Sequence, residues 1–197
     1  MVRQYVSTET RRQQIAEAAL RVLAEEGVGR FTTRAIAARV GVTDGTLFRH
    51  FADKEAIMLA AMDLLEEGLL VDLDAGGDPV ARLEAMFRHR ASFVGSNSSV
   101  GRLIFSEQLV HLAGEEGRSK VAMWRMQSLR FMFAALEEAG ADGRTRPGLE
   151  PLDLAMVIQG VLLTFALRAN IGGPEAPDAL QARIDAAWTT LHTLIFH

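Results

Sequence analysis

The sequence predicts an all-α protein, and three observations carry that prediction. Apolar residues recur at i, i+3 or i+4 and i+7 through almost every segment, the signature of one buried helix face. No run alternates polar and apolar residues over the length of a strand. Capping residues, Gly and Pro stand at the breaks between the periodic segments.

The elements follow in order. Residues 8–26 put Ile15, Ala19, Val22 and Leu23 on one stripe, with Gly27 placed to end the helix. Thr32 caps a second helix that runs to Arg39 or Val40 and stops at Gly41. Thr43 caps a third, short helix from Asp44 to about Phe51, with Asp44 favourably in its first turn. Asp53 caps a long helix that opens at Lys54-Glu55 and runs to about Asp74. The clearest internal break is Ala75-Gly76-Gly77-Asp78-Pro79, where an Asp cap and Pro at the first helical position start a helix to about Val94. Further helical patterns cover about 100–113, 116–139, 151–170 and 177–196, so three short helices precede six longer ones. A domain boundary is expected near the fourth helix, with residues 1–53 as one domain and 54–197 as a second, larger one.

Composition removes several classes of function. A chain of 197 residues, 49 % of them hydrophobic, needs no staple to build a core. The 17 Gly and 5 Pro are close to ordinary usage, which excludes collagen-like and low-complexity chains. Cysteine is absent, so there is no disulfide framework, thiolate zinc site or cysteine nucleophile. The first residues are polar and lack the apolar stretch of an export signal. The most apolar stretch, Ile158 to Ala169, falls short of the roughly 20 residues that span a bilayer and reads as a buried helix. A soluble cytoplasmic protein with no membrane partner is expected. Charge is divided unevenly: residues 1–57 hold nine Lys and Arg against seven Asp and Glu, a balance of +2, whereas the whole chain stands at −4. Any polyanion contact therefore belongs to the N-terminal quarter.

The strongest motif is Ile36-Ala37-x-x-Val40-Gly41-Val42-Thr43-x-Gly45-x-Leu47. A short helix, a tight Gly turn and a second capped helix make a helix-turn-helix. Small Ala37 permits a close crossing, and Gly41 supplies the turn conformation that other residues resist. Val42 and Leu47 plug the angle between the helices, and Ile36, Val40 and Leu47 form a small core with Ile15, Ala19, Val22 and Phe51. Thr43, Asp44, Thr46, Arg49 and His50 face outward with the hydrogen-bonding side chains that major-groove readout requires.

The stretches TETRRQQIAEAALRVLAEEG and FTTRAIAARVGVTDGTLFRHFADKEAIM, about residues 8–60, resemble the DNA-binding domain of TetR-family transcriptional regulators. The resemblance includes the ending formed by Phe48, His50, Phe51, Lys54 and Glu55. It implies a three-helix DNA-binding head, a helical C-terminal domain for a small-molecule effector, a homodimer through the last two helices, and repression relieved by ligand. Residue by residue, it implies phosphate contacts from Thr33 and Lys54, a groove-facing helix start at Thr43, Asp44, Gly45 and Thr46, and backbone and base-edge contacts from Phe48, Arg49 and His50. Two positions depart from the pattern or complicate it. The family usually carries Tyr where this chain has Phe48, so a phenol-to-phosphate hydrogen bond is missing and only ring packing remains. Asp44 fits both first-turn helix chemistry and acceptance from a cytosine amine. His50 fits a base contact or a core-edge role, and Arg3, Arg11 and Arg12 fit a basic arm or a solvated helix start.

The remaining 140 residues say less. Glu107 and His111 share a helix face, with His89 and Arg90 on the preceding helix, which suits a metal, an anionic ligand or a plain solvent-facing pair beside a satisfied core histidine. The helix VAMWRMQSLRFMFAAL is apolar almost all round and reads as central to its domain, its aromatics serving as core or pocket wall. Phe105, Trp124 and Phe165 are the expected walls, with Glu107 and His111 as polar ligand contacts, and no resident metal or cofactor is expected. The small residues of the last two helices suit a dimer interface or an intramolecular pair. No nucleophile–base pair or phosphate loop occurs, so an enzyme is not expected. The alternative to a DNA-binding regulator is a helical protein-interaction module.

Overall fold

The computed structural model describes residues 7–71, 76–96, 111–171 and 175–197. Among these residues the chain is helical, without strands. The helices are α1 (Thr8–Glu26), α2 (Thr33–Val40), α3 (Asp44–Leu47), α4 (Lys54–Leu69), α5 (Pro79–Ser96), α6 (Gly114–Ala141), α7 (Pro151–Ile171) and α8 (Pro177–Ile195). A single 3-10 turn, Val28–Arg30, joins α1 to α2. The helix expected at about 100–113 lies almost wholly outside the described residues.

The described residues form two compact units. One is drawn from Met1–Glu67 and Arg102–Val121, the other from Gly68–Gly101 and Ala122–His197. In the first, α1 packs on α2 and α2 on α3. The small core expected from the sequence is present: Ile15, Ala19, Val22, Ile36, Leu47 and Phe51 are buried, while Val40 is half-buried at the edge. The caps also form. The Thr32 hydroxyl accepts from the Ala35 N–H at 3.2 Å, and Asp53 Oδ1 accepts from the Ala56 N–H at 2.8 Å. Lys120, at the start of α6, donates to Asp63 at 2.7 Å and Glu66 at 3.4 Å on α4. Those bonds, Asp63 first, raise its pKa.

In the second unit α5 packs against α7 and α8. Phe87 is its aromatic centre: its ring meets Phe165 edge-on at 6.1 Å and Trp188 at 5.7 Å. Leu83, Ala91, Ile158, Leu162, Ile184 and Leu191 complete the layer. Ion pairs lie around it, joining Arg82 to Glu138, Arg88 to both Glu84 and Asp185, and Arg144 to Asp78. The chain end closes against the preceding loop, where the Arg146 N–H donates to the Ile195 carbonyl at 2.8 Å and the His197 N–H to the Arg144 carbonyl at 3.0 Å.

Two sequence expectations change here. Helix α6 is apolar on two sides but not buried all round: Trp124, Met132, Ala135, Leu136 and Ala139 are buried on one stripe, while Met123, Met126, Leu129 and Phe133 are exposed. Helix α7 is not simply a buried helix either. Leu154, Ala155, Ile158, Leu162, Phe165 and Ala166 face the core, but Leu152, Met156, Val157 and Leu167 face outward. Its 18 residues Pro151–Arg168 are long and apolar enough to cross a membrane by length and composition. The apolar signal therefore comes from two faces, of which the fold of one chain buries one.

Asp78 caps α5 through the Ala81 N–H at 2.8 Å. That hydrogen bond, and then the one from Arg144, holds its carboxyl below the ordinary value of 3.8. Arg88 does the same for Asp185. A carboxyl depressed in the folded state contributes stability that is complete above its unfolded value and is lost as pH falls through the folded one. Urea unfolding between pH 6 and pH 2 should therefore give a flat stability above about pH 4 and a fall below it. Asp78→Asn should make that fall shallower.

Candidate nucleic-acid interface

The site is built on a turn. Helix α2 ends at Gly41, which is left-handed at φ 76° and ψ 34°. Its N–H donates to the carbonyls of Ala37 and Ala38, and the Val42 N–H returns to Ala37 at 3.0 Å, satisfying the last carbonyls of the helix. Thr43 is then extended, at φ −88° and ψ 157°. Its side chain does not cap the backbone as expected; its hydroxyl instead bonds the Thr46 hydroxyl at 3.0 Å. The carbonyl of Thr43 accepts from the Thr46 N–H at 2.9 Å and starts α3.

Helix α3 is shorter than its sequence predicts, ending at Leu47 rather than near Phe51. The reason lies in the backbone. The Arg49 N–H donates to Thr46 at 3.3 Å and the His50 N–H to Leu47 at 2.9 Å, so the segment tightens into i→i−3 turns. Leu47 is completely buried beneath this segment and Phe51 nearly so. Above them Thr43, Asp44, Gly45, Phe48 and Arg49 are exposed, and Thr46 and His50 are half-buried. The structure thus brings the expected groove-facing residues onto one outward surface of a single turn. Thr33 is half-buried at the first position of α2, and exposed Lys54 opens α4 with its ammonium 5.7 Å from the centre of the Phe31 ring. The Asp44 side chain makes no hydrogen bond or ion pair among the described residues, while its carbonyl accepts from the Phe48 N–H at 3.3 Å; His50 Nδ1 is buried without a partner.

Arg12 has a role that sequence reasoning missed. It is neither an arm nor a solvated charge: its guanidinium donates to the His50 carbonyl and lies 4.2 Å over the Phe51 ring. It ties α1 to the end of the α3 segment. Only the 38-residue separation between Arg12 and His50 concealed the contact. Arg39 is also spoken for, donating to Glu25 at 2.6 Å and Glu26 at 3.4 Å. Arg30, Arg34, Arg49 and Lys54 remain exposed without an ion pair among the described residues. Arg30 and Arg34 carried no distinguishing pattern in the sequence.

Phe105 and Glu107 lie outside the described residues. His111 is exposed, Trp124 is buried with its indole N–H unpartnered, and Phe165 packs on Phe87. His89 is engaged with the Gly68 carbonyl at 2.7 Å and stacks on Phe93. Among the described residues no group of three or more His, Asp or Glu side chains is placed to hold a metal.

A family model described as bacterial regulatory proteins, tetR family, matches residues 15–61. The nucleoid occlusion factor SlmA of Marinomonas sp. (strain MWYL1) is 30 % identical over 145 residues, which cover 72 % of this chain and 71 % of that protein. This chain belongs to the tetR family of bacterial regulatory proteins. It is a DNA-binding regulator with an N-terminal helix-turn-helix and a larger helical C-terminal part. Among solved structures, the ketosteroid transcriptional regulator KstR2 of Mycobacterium tuberculosis shares the fold, with a TM-score of 0.77 at 22 % identity over 98 % of this chain and 97 % of that one. AibR in complex with isovaleryl coenzyme A and operator DNA has a TM-score of 0.72 at 26 % identity over 94 % of this chain and 100 % of that one. In this family member Phe48 is 53 % exposed, a large apolar ring left on the surface of the α3 segment.

Gly41 gives the first test of how the turn holds the site. An added Cβ meets nothing within 4 Å there, so the φ of +76° alone opposes a side chain. Gly41→Ala should lose about 1–2 kcal/mol in urea unfolding, the cost of a left-handed L-residue, with the helical circular dichroism retained. An unchanged midpoint would show that the turn does not need glycine.

Proposed function

We propose that this regulator is a homodimeric repressor that reads an operator through α3 and leaves it when a small apolar or amphipathic ligand binds the C-terminal part. The observation that carries the reading is the surface of the α3 segment. Hydrogen-bonding side chains stand outward on a turn fixed by buried Leu47, with unpaired cations on the elements around it. Thr43, Asp44, Gly45 and Thr46 face the base edges, as Arg49 and His50 do at the far end. Phe48 packs on the sugar–phosphate backbone, and Thr33 and Lys54 hold phosphates. The Lys54 contact gains from the free N–H groups and partial positive charge at the start of α4. The DNA-binding head is residues 1–53, and residues 54–197 are the ligand-binding and dimerising part, with Trp124 and Phe165 beside the ligand. The ligand role is supported by AibR, whose structure holds isovaleryl coenzyme A together with operator DNA. The protein works in the cytoplasm and catalyses no reaction.

The dimer is supported by apolar surface that one chain leaves uncovered. On α7, Leu152, Met156, Val157 and Leu167 are exposed, and on α8 Leu194 is 61 % exposed. Gly160, also outward on α7, has nothing within 4 Å of an added Cβ, so a second helix can approach closely there. Two such pairs form an isologous four-helix interface, and its two heads would reach successive major grooves about 34–36 Å apart.

Binding of the purified protein to its own upstream intergenic DNA, against an unrelated fragment and across a salt series, tests this reading. Selective binding with a negative salt slope is expected. Lys54→Ala should weaken binding to both fragments and reduce the slope by about 0.9 for each phosphate left without its cation. Thr46→Ala should weaken only the selective binding. Equal, weak binding to both fragments by the wild type would sink the operator reading. Separately, Met156→Glu should turn the dimer into a monomer in sedimentation and lower operator affinity at least about tenfold, because it places a charge in a buried interface. A dimer that survives the substitution would place the interface elsewhere.

A further inference from the structure

Three arginines on α5 behave differently. Arg82 pairs with Glu138, and Arg88 pairs with Glu84 and Asp185; both arginines are half-buried, and Arg82 Nε is buried without a partner. Arg90 is 6 % exposed and is the one buried polar or charged residue among those described. It has no carboxylate partner among the described residues. Its Nε donates to the Leu69 carbonyl at 2.9 Å, and one of its terminal nitrogens is buried without any acceptor. A guanidinium has five N–H donors, and this cap on the end of α4 uses one of them. Leaving a charged donor buried and unpaired is among the more costly arrangements a core can contain. Burial lowers the pKa of Arg90 to about 10, which still leaves it charged at neutral pH.

Phe87, one turn earlier on the same helix face, packs on Phe165 and Trp188. In the same compact unit Arg82 Nε and the Trp124 indole N–H are further buried donors with no acceptor. All three orphaned groups are donors, but Arg82 already has a carboxylate in Glu138; what Arg90 lacks is an acceptor, preferably a negative one.

We infer that Arg90 anchors the anionic head, carboxylate or phosphoryl, of an amphipathic ligand whose apolar body lies against the Phe87 cluster. The inference rests on the ligand-released reading above and narrows it: the effector carries a negative charge, and Arg90 supplies the charge-assisted bond that selects it. A neutral ligand of the same shape leaves the guanidinium as unsatisfied as it is in the free protein, so selectivity arises from the unmet donor.

The test is calorimetric titration of the purified full chain, without DNA, using decanoate, decanoyl coenzyme A and neutral decanol. At least one anion should bind the wild type ten times or more tighter than decanol does. Which of the two does so tells a carboxylate from a phosphoryl head. Arg90→Met should bring that anion to the level of decanol, and Arg90→Lys should keep part of the preference. A purely structural arginine would not move this ratio. The inference is overturned if the wild type shows no preference for either anion, or binds none of the three, or if Arg90→Met keeps the preference. The comparison of anion with decanol in the wild type needs no variant, so it decides even if Arg90→Met fails to fold. Operator binding by the ligand-free protein is measured apart. Its failure would sink the repressor reading and leave an anion preference at Arg90 standing.

Discussion

A helix of four residues cannot hold itself in water, because one turn fixes many dihedrals for very few hydrogen bonds. Helix α3 is such a helix, spanning Asp44–Leu47, and every useful property of the head depends on what holds it from outside. Leu47 holds it from below by complete burial. Gly41 holds its start by turning the chain in the one conformation that returns both the Gly41 and Val42 N–H groups to α2. Arg12 holds its end by donating to the His50 carbonyl while lying on Phe51. The outward residues are then free to be polar, since none of them is needed for packing. This division of labour lets the outward face vary without unfolding the helix-turn-helix.

The second unit handles charge in the opposite way. In the head Arg30, Arg34, Arg49 and Lys54 stand unpaired at the surface among the described residues, whereas around α5 the outer arginines are answered by carboxylates. Arg82, Arg88, Arg144 and Arg183 all have carboxylates. Such exposed pairs contribute little each, typically under about 1 kcal/mol. They still neutralise the unit's surface, leaving apolar faces rather than charge to decide what it meets. Helix α7 shows this most plainly, with one apolar face inside the unit and another outside it. Arg90 stands apart because no carboxylate among the described residues answers its charge.

Much of this is legible in the sequence, and the physical reasons are particular. Thr32, Asp53 and Asp78 each cap the helix they precede, because capping is a local contest among nearby backbone N–H groups. Gly41 is legible for the same reason. The contact of Arg12 with His50 is not, since it joins residues far apart in the chain. The length of α3 escapes the pattern because capping and apolar spacing do not register the shift to i→i−3 bonds at Arg49 and His50. Apolar spacing places α7 but does not tell a helix buried all round from one with two apolar faces, because hydropathy does not say which neighbour covers a face. Trp124 and Phe165 stand out in the sequence as aromatic residues, yet the unpaired donors beside that chemistry become visible only with the packing.

The charge of the head bears on how regulation works. The first 57 residues carry a balance of only +2, and the charge of Arg39, though exposed, is answered by Glu25 and Glu26. One head therefore has few cations with which to release counterions, the dominant source of affinity for DNA. A single head of this kind binds weakly at physiological salt. In the proposed dimer the second head binds as an intramolecular event at an effective concentration that can reach roughly millimolar, so affinity rises steeply once both heads engage together. A ligand then need not disturb either head to release the DNA. It needs only to favour a state of the C-terminal part in which the two heads no longer fit one operator, and its differential affinity for the two states sets how far the equilibrium moves. A weakly charged head makes that mechanism effective, because a strongly basic one would stay bound by a single contact surface.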